Sequence, residues 1–451
     1  MSRKASKKNR REIERIAGKT RETRKSAKTR AVTKWLIILV SILSVCSLAI
    51  CFIIFYSYTL LKPPEQDWKT YRIVPEYMRS MKKVLISLPL ENATIPTPSL
   101  DIHLGLVQYF PAYTEIILLL PESRLQTIKA EFKDKPNSEN ITYVVFETKQ
   151  LNNGHLYLLF SDSNRMVDSG AIDDLVVPKG TAWAQDLFEV STKPDGRKLL
   201  MVSEVHKYFI SYGSEGSPKA VNDNAYIDNL SSGDISAQTL PFTFMGGNIL
   251  VDEFDSRKIV VCGGDIFRYT QTVSGGTKDS TPTDTQITAM IKKFLNADTV
   301  ISVGMGKPQP LFMFHLDQAM IFLHDGVVGI TTIVGAHQNV IPEEVKDVEQ
   351  FLSELRSALT RLGYKLVNID TSIQDVLSYQ YAVNGIPYVD ATTKQKTLLM
   401  PISPETQTTF EKKLVKKNTA TFESLGYEVV HVPSESTKFN GGIHCLVNVI
   451  E

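Results

Sequence analysis

The 451-residue chain lacks the motifs that most often disclose an enzyme's chemistry. It has no HExxH to hold zinc on a helix, no GxxxxGK[ST] loop to cradle phosphates, no GxSxG turn to raise a nucleophilic serine and no CxxC pair. Helix-borne zinc peptidases, P-loop nucleotide enzymes and serine-hydrolase elbows therefore lose their usual support. The glycines of "VGMGKPQP", Gly304 and Gly306, precede no helix pattern and read as a turn. Cysteine is scarce: four residues, of which Cys46 and Cys51 fall inside a long apolar run. Cys262 and Cys445 remain, enough for one disulfide at most, so the fold is not a disulfide-stapled scaffold. No acidic cluster has the spacing of a calcium loop, and no metal or other cofactor is expected.

What is present begins with charge. The formal net charge of +1 conceals an asymmetry: residues 1–34 carry 14 Lys or Arg against three Glu, leaving 36 basic and 46 acidic residues in the remainder. Directly after this arm comes "WLIILVSILSVCSLAICFIIFYSYTLL", Trp35 to Leu61, 27 residues without a charge. About 20 apolar residues suffice to cross a bilayer as a helix, so the run reads as a transmembrane signal anchor. The positive-inside rule keeps the arm in the cytoplasm and sends the rest across, giving a single-pass type II protein with an extracytoplasmic domain. Beside a span, the basic arm sets topology and touches anionic lipid, and no nucleic acid partner is expected. Sequons at Asn92, Asn140 and Asn229 would be glycosylated only in a eukaryotic secretory lumen.

Residues 62–100, with Pro63, Pro64, Pro96 and Pro98, read as a stalk. From 101 to 451 strand and helix patterns alternate, with 43% hydrophobic residues over the whole chain, as in a globular α/β domain. Within it one phrase repeats. The helix pattern "PEEVKDVEQFLSELRSALTRLG" sets Val345, Val348, Leu352, Leu355, Leu359 and Leu362 on one face, stops at Gly363 and leads into the strand "YKLVNID". "FEKKLVKKNTATFESLGYEVVHVP" repeats it, with Gly426 and Tyr427 standing 63 residues after Gly363 and Tyr364. A weaker copy, "ITAMIKKFLNADTVISVG", places Ala297 66 residues before Gly363. A helix feeding a strand at this period suggests one unit used about five times after residue 101.

Four short segments carry polar residues in otherwise apolar surroundings. "FMFHLDQAMIFL" reads as a buried strand, in which His315 and Asp317, two apart, share a face. "GTAWAQDLFEV" holds Trp183 and Asp186, and "FTFMGGNILVDEF" sets Gly246, Gly247 and Asn248 at a strand start. The C-terminal "NGGIHCLVNVIE" places Gly441 and Gly442, which permit close approach of other groups, ahead of Cys445 and a final strand. Taken singly, His315 is a satisfied core histidine and Cys445 an inert buried thiol. Together they are a thiol nucleophile with an acid/base and its carboxylate. His444 would point away from Cys445 on a strand, and Cys262 in "VVCGGDIF" reads as core.

The order Trp-x-Gln-Asp, Gly-Gly-Asn, His-x-Asp and Gly-Gly-x-His-Cys resembles the guanidine-modifying (pentein) superfamily, nearest its agmatine deiminase and peptidylarginine deiminase branch. The resemblance covers roughly residues 101–451 and implies a fivefold pseudosymmetric α/β propeller. It implies Cys445 as nucleophile, His315 as acid/base, Asp186 and Asp317 as the carboxylates gripping a guanidinium, and Asn248 and Trp183 on the substrate side. The activity implied is hydrolysis of a guanidino group, on a small molecule such as arginine or agmatine or on protein arginine, to a ureido product such as citrulline. Amidino transfer to an amine, and a catalytically silent membrane-anchored binding module, are the alternatives. The chain departs from the pattern at Met245, where many relatives carry an acid, and at Leu187, where peptidylarginine deiminases do. Substrate identity and oligomeric state leave no mark on the sequence.

Overall fold

The computed structural model of the chain describes residues 68–88, 100–150, 155–160, 165–171, 183–203, 210–212, 218–220, 235–274, 281–335, 342–403, 408–434 and 441–451, together with Val40. The basic arm 1–34, the rest of the apolar run 35–61, and residues 62–67 and 89–99 of the expected stalk lie outside the described residues. Among the described residues no helix is long and apolar enough to cross a membrane.

The repeated helix-then-strand phrase is real and local in origin. Helices Asp284–Phe294, Glu343–Arg361 and Thr409–Ser424 lead into strands Thr299–Val303, Lys365–Ser372 and Glu428–Pro433. Two of the helices start at capping boxes, Thr283 with Gln286 and Thr408 with Glu411, which satisfy amide hydrogens that the first turn leaves open. The longest buries Val345, Val348, Phe351, Leu352, Leu355 and Leu359; the apolar stripe read from the sequence gains Phe351, while its last member, Leu362, is the half-buried C-cap. Each ends on a left-handed residue: Gly363 at φ 91°, Gly426 at φ 86° and Asn296 at φ 49°. The weak copy is therefore aligned on Asn296 rather than on Ala297, because asparagine is the side-chain-bearing residue that best tolerates this conformation.

Each returning strand lies parallel to the second strand of an antiparallel pair, and this arrangement occurs five times. Among the described residues four units are contiguous in sequence, three of them in its second half: 249–254, 257–263 and 299–303; then 320–322, 327–334 and 365–372; then 386–389, 396–402 and 428–433. A fourth is built from 188–192, 198–202 and 235–239. The last draws on both ends of the domain. Lys83–Ser87 runs parallel to Glu115–Pro121 on one side and antiparallel to Val447–Val449 on the other, so Val84 faces Ile116 and Val449. Strands Ile141–Gln150, His155–Phe160 and Arg165–Ala171 extend that sheet to six.

This corrects the stalk. Trp68–Glu451 forms one compact unit, and residues 68–88 belong to it. Pro75 and the prolines flanking the segment obscured a strand, "KVLIS", that lies fully inside the first sheet. The same segment is pinned elsewhere. The buried Arg79 donates to the Val449 carbonyl at 2.9 Å and the Val74 carbonyl at 3.1 Å. Tyr77 and Tyr364 donate to the two oxygens of buried Asp252, at 2.6 and 2.8 Å. A buried carboxylate with both oxygens bonded offsets its own desolvation, so this link holds three distant segments together.

Gly426 has open space where a Cβ would stand, so its requirement for glycine is conformational alone. Gly426→Ala should lower stability by about 1–2 kcal/mol, the cost of a left-handed alanine, and Gly426→Asn by clearly less. Urea denaturation at fixed pH measures both; equal losses would show that packing, not φ, sets the residue.

Candidate active site

The polar residues singled out in the sequence come from different units, yet they occupy equivalent places. Each sits on a tight turn that runs straight into the first strand of its unit. Asp186 lies on the turn Ala184–Leu187 before Phe188, and Gly247 on Gly246–Asn248 before Ile249. Asp317 lies on Leu316–Gln318 before Met320, and Cys445 on Ile443–Leu446 before Val447. Asn384, which the sequence reading passed over, precedes Ile386 in the same manner.

Two expectations change here. His315 and Asp317 are not on a strand: His315 caps a three-residue helical turn, its N–H donating to the Gln318 side chain. Within the turn Leu316 and, three residues on, Ala319 are buried, and the strand, buried throughout, begins only at Met320. Cys445 likewise sits on a helical turn, so His444 is not turned away. Its Nδ1 lies 2.9 Å from Asp317 Oδ2 and its Nε2 2.7 Å from Glu76 Oε2.

The turns bring the expected chemistry together. Cys445 Sγ lies 3.3 Å from Asp317 Oδ2, and the Asn384 amide donates to the sulfur at 3.4 Å and to the Asp317 carbonyl at 3.2 Å. His315 Nδ1 stands 3.7 Å from Asp186 Oδ1, which accepts the Gly247 N–H at 3.2 Å. Gly247 separates the two halves: a Cβ there would stand 2.8 Å from His315 Nδ1 and 2.9 Å from Asp317 Oδ2. Only a bare backbone fits between them. Cys445, His315, Asp186 and Asp317 are each at most 4% exposed.

Other predicted residues frame this group. The Trp183 ring lies against Gly441, where a Cβ would come within 2.6 Å of it and 3.6 Å of the Cys445 sulfur. The paired glycines thus let Trp183 and Asn384 close on the turn that carries Cys445. Asn248 exchanges amide hydrogen bonds with Gln309, at 2.6 and 3.1 Å, which brace it beside the site. Asn448, three residues past Cys445, donates to the carbonyls of Ala184, Gln185 and Phe188 and so ties the Asp186 turn to the final strand. Cys262 is a core thiol as expected; Cys262 and Cys445 are both free.

The electrostatics are those of a crowded acidic space. Burial pushes the Cys445 thiol well up, and Asp317 and Asp186 push it further, against lowering hydrogen bonds from Gly442 and Asn384. Behind Asp317 lies a cavity of about 20 Å³, room for roughly one water, bordered by Glu76, Arg79, Glu189 and His444. Burial alone would strip the proton from His444, but Glu76 and Asp317 reverse this and hold it at about 10. Burial would likewise raise Glu76, yet His444, Arg79 and the Gln185 amide hold it down at about 2. Glu189 has only weak help; burial raises it to about 8. None of Glu76, Arg79 or Glu189 was legible as a site residue. The first two lay in the presumed stalk, and the third reads as an ordinary strand position.

Glu189 generates a test. Its value when folded lies above the unfolded value of about 4.3, so the native state holds the extra proton between about pH 4.3 and 8, and stability falls as pH rises through that window. Relative to the parent, Glu189→Gln should gain stability steadily from pH 5 to 8. A difference between the two urea midpoints that stays constant with pH would contradict this account.

No family model and no curated protein matches the sequence. Solved structures do. An agmatine deiminase of Enterococcus faecalis superposes with a TM-score of 0.57 at 12% identity, covering 86% of this chain and 98% of that one. A C. jejuni agmatine deiminase gives 0.52 at 14% identity, with 84% and 95% covered. A Porphyromonas gingivalis protein assigned as an arginine deiminase gives 0.56 at 13%, with 84% and 97% covered. The chain therefore shares its fold with these solved structures, over more than four-fifths of its length.

Proposed function

We propose that the chain hydrolyses a guanidino group to a ureido product and ammonia through a covalent intermediate on Cys445. The observation that carries the reading is Asp317. Its Oδ2 touches Cys445 and His444, while its buried Oδ1 has no hydrogen-bond partner among the described residues. An unsatisfied buried carboxylate oxygen is costly, and a planar cation carrying several N–H donors is the ligand that relieves it. Asp186 offers a second carboxylate beside His315.

The chemistry follows from the charges. In the free site the thiol keeps its proton because it is buried and, in addition, two carboxylates face it. A bound guanidinium neutralises them and favours the thiolate. Sulfur then attacks the central carbon, forming a C–S bond. His315 gives a proton to the departing nitrogen, the C–N bond breaks and ammonia leaves. Water, deprotonated by His315, adds to the same carbon; the C–S bond breaks and the ureido product departs. The five like units, the first closed by the C-terminal strand, support a propeller around this site. The uncharged run Trp35–Leu61 supports anchorage in a membrane, with the domain on its extracytoplasmic side and the basic arm near anionic lipid.

The full chain incubated with arginine, agmatine and arginine-containing peptides should release ureido product and ammonia in equal amounts from at least one. Cys445→Ala should abolish both, and Asp317→Asn should lower kcat/KM by about a hundredfold or more, the loss of a buried charged contact. A new guanidino compound on adding glycine, without ammonia, would replace hydrolysis by amidino transfer. Silence with every substrate and acceptor would leave a binding module.

A further inference from the structure

Asp317 is held from behind. His444 Nδ1 approaches its Oδ2 at 2.9 Å, and His444 Nε2 approaches Glu76 Oε2 at 2.7 Å. Both partners are carboxylates, which in ionised form only accept hydrogen bonds. An imidazole can satisfy two acceptors only if both nitrogens carry hydrogen, that is, as the imidazolium. Glu76 is itself fixed, receiving the Gln185 amide at 3.3 Å, next to Asp186 in sequence. The other charged or titratable groups facing this pair are Arg79 and Glu189 at the cavity, and Cys445 beside Asp317.

We propose that Glu76 and His444 are positioning residues for the guanidinium grip: Glu76 keeps His444 a doubly donating cation, and His444 fixes the plane of the Asp317 carboxylate so that its second oxygen stays open to substrate. The inference rests on the reading of Asp317 as a substrate ligand. It explains two otherwise expensive features. A buried cation between the buried Asp317 and the partly buried Glu76 offsets their desolvation, and a carboxylate with one oxygen tied off cannot rotate to satisfy the other elsewhere. The high proton affinity of His444 and the low one of Glu76 agree with this charge pattern.

The test compares two small alkylating agents on the full chain: 2-chloroacetamidine, a planar cation, and its neutral counterpart 2-chloroacetamide. Labelling of Cys445 is followed by mass and each rate is normalised to that of a free small thiol. The parent should prefer the cation. Glu76→Gln should reduce that preference roughly ten- to hundredfold, the equivalent of one charged hydrogen bond, and Glu76→Asp should recover part of it. Damage to packing alone would slow both reagents alike and leave the ratio intact, so an unchanged ratio in Glu76→Gln overturns the positioning role. A parent without preference for the cation would instead overturn the guanidinium grip, and this inference with it.

Discussion

Three acidic groups, Asp186, Asp317 and the Cys445 thiol, share a buried space, and the arrangement around them answers to that constraint. Such a cluster is unfavourable when empty. The protein meets the cost with neighbours rather than with distance: His315 beside Asp186, the Asn384 amide on the sulfur, and His444 behind Asp317. Each neighbour comes from a different turn. The site therefore exists only where several turns converge, and Asn448 and Gly247 act as spacers that set their separation.

The repetition of the fold supplies these turns economically. In every unit the turn before the first strand carries a small or polar residue, where side chains on opposite sides must nearly touch. Glycine appears where backbone passes between two functional groups, as at Gly247, and a polar residue appears where a group must be delivered. The same local device, a turn followed by a short apolar strand, thus serves as a generic mount, and function is written in which side chain each mount bears.

Much of this was legible. Helical stripes and their glycine stops stood out because a helix writes its buried face every three or four residues, and the repeat followed from them. Cys445, His315, Asp186 and Asp317 stood out as polar residues in apolar runs and meet in the structure. The pairing of Asn248 with Gln309 was not legible, since the two lie 61 residues apart and a residue's neighbourhood in sequence does not name its partner. His315 and His444 were assigned to strands because a short apolar run does not distinguish a strand from a single helical turn. Glu76 and Arg79 were missed for a different reason: their partners, His444 and Val449, lie at the other end of the chain, and no local pattern records a contact of that range.

That range bears on how the molecule comes into being. Four of the five units draw on continuous stretches of chain and can form as each stretch becomes available. The first unit needs Val84 to find Val449, the most distant strand pairing in the domain, and closing so long a loop carries the greatest entropic penalty. The turn bearing Cys445 leads directly into that strand. Cys445 is thus mounted beside the contact of longest range, and a partly folded chain has carboxylates and thiol still apart, spared their mutual repulsion until the surrounding framework is there to hold them.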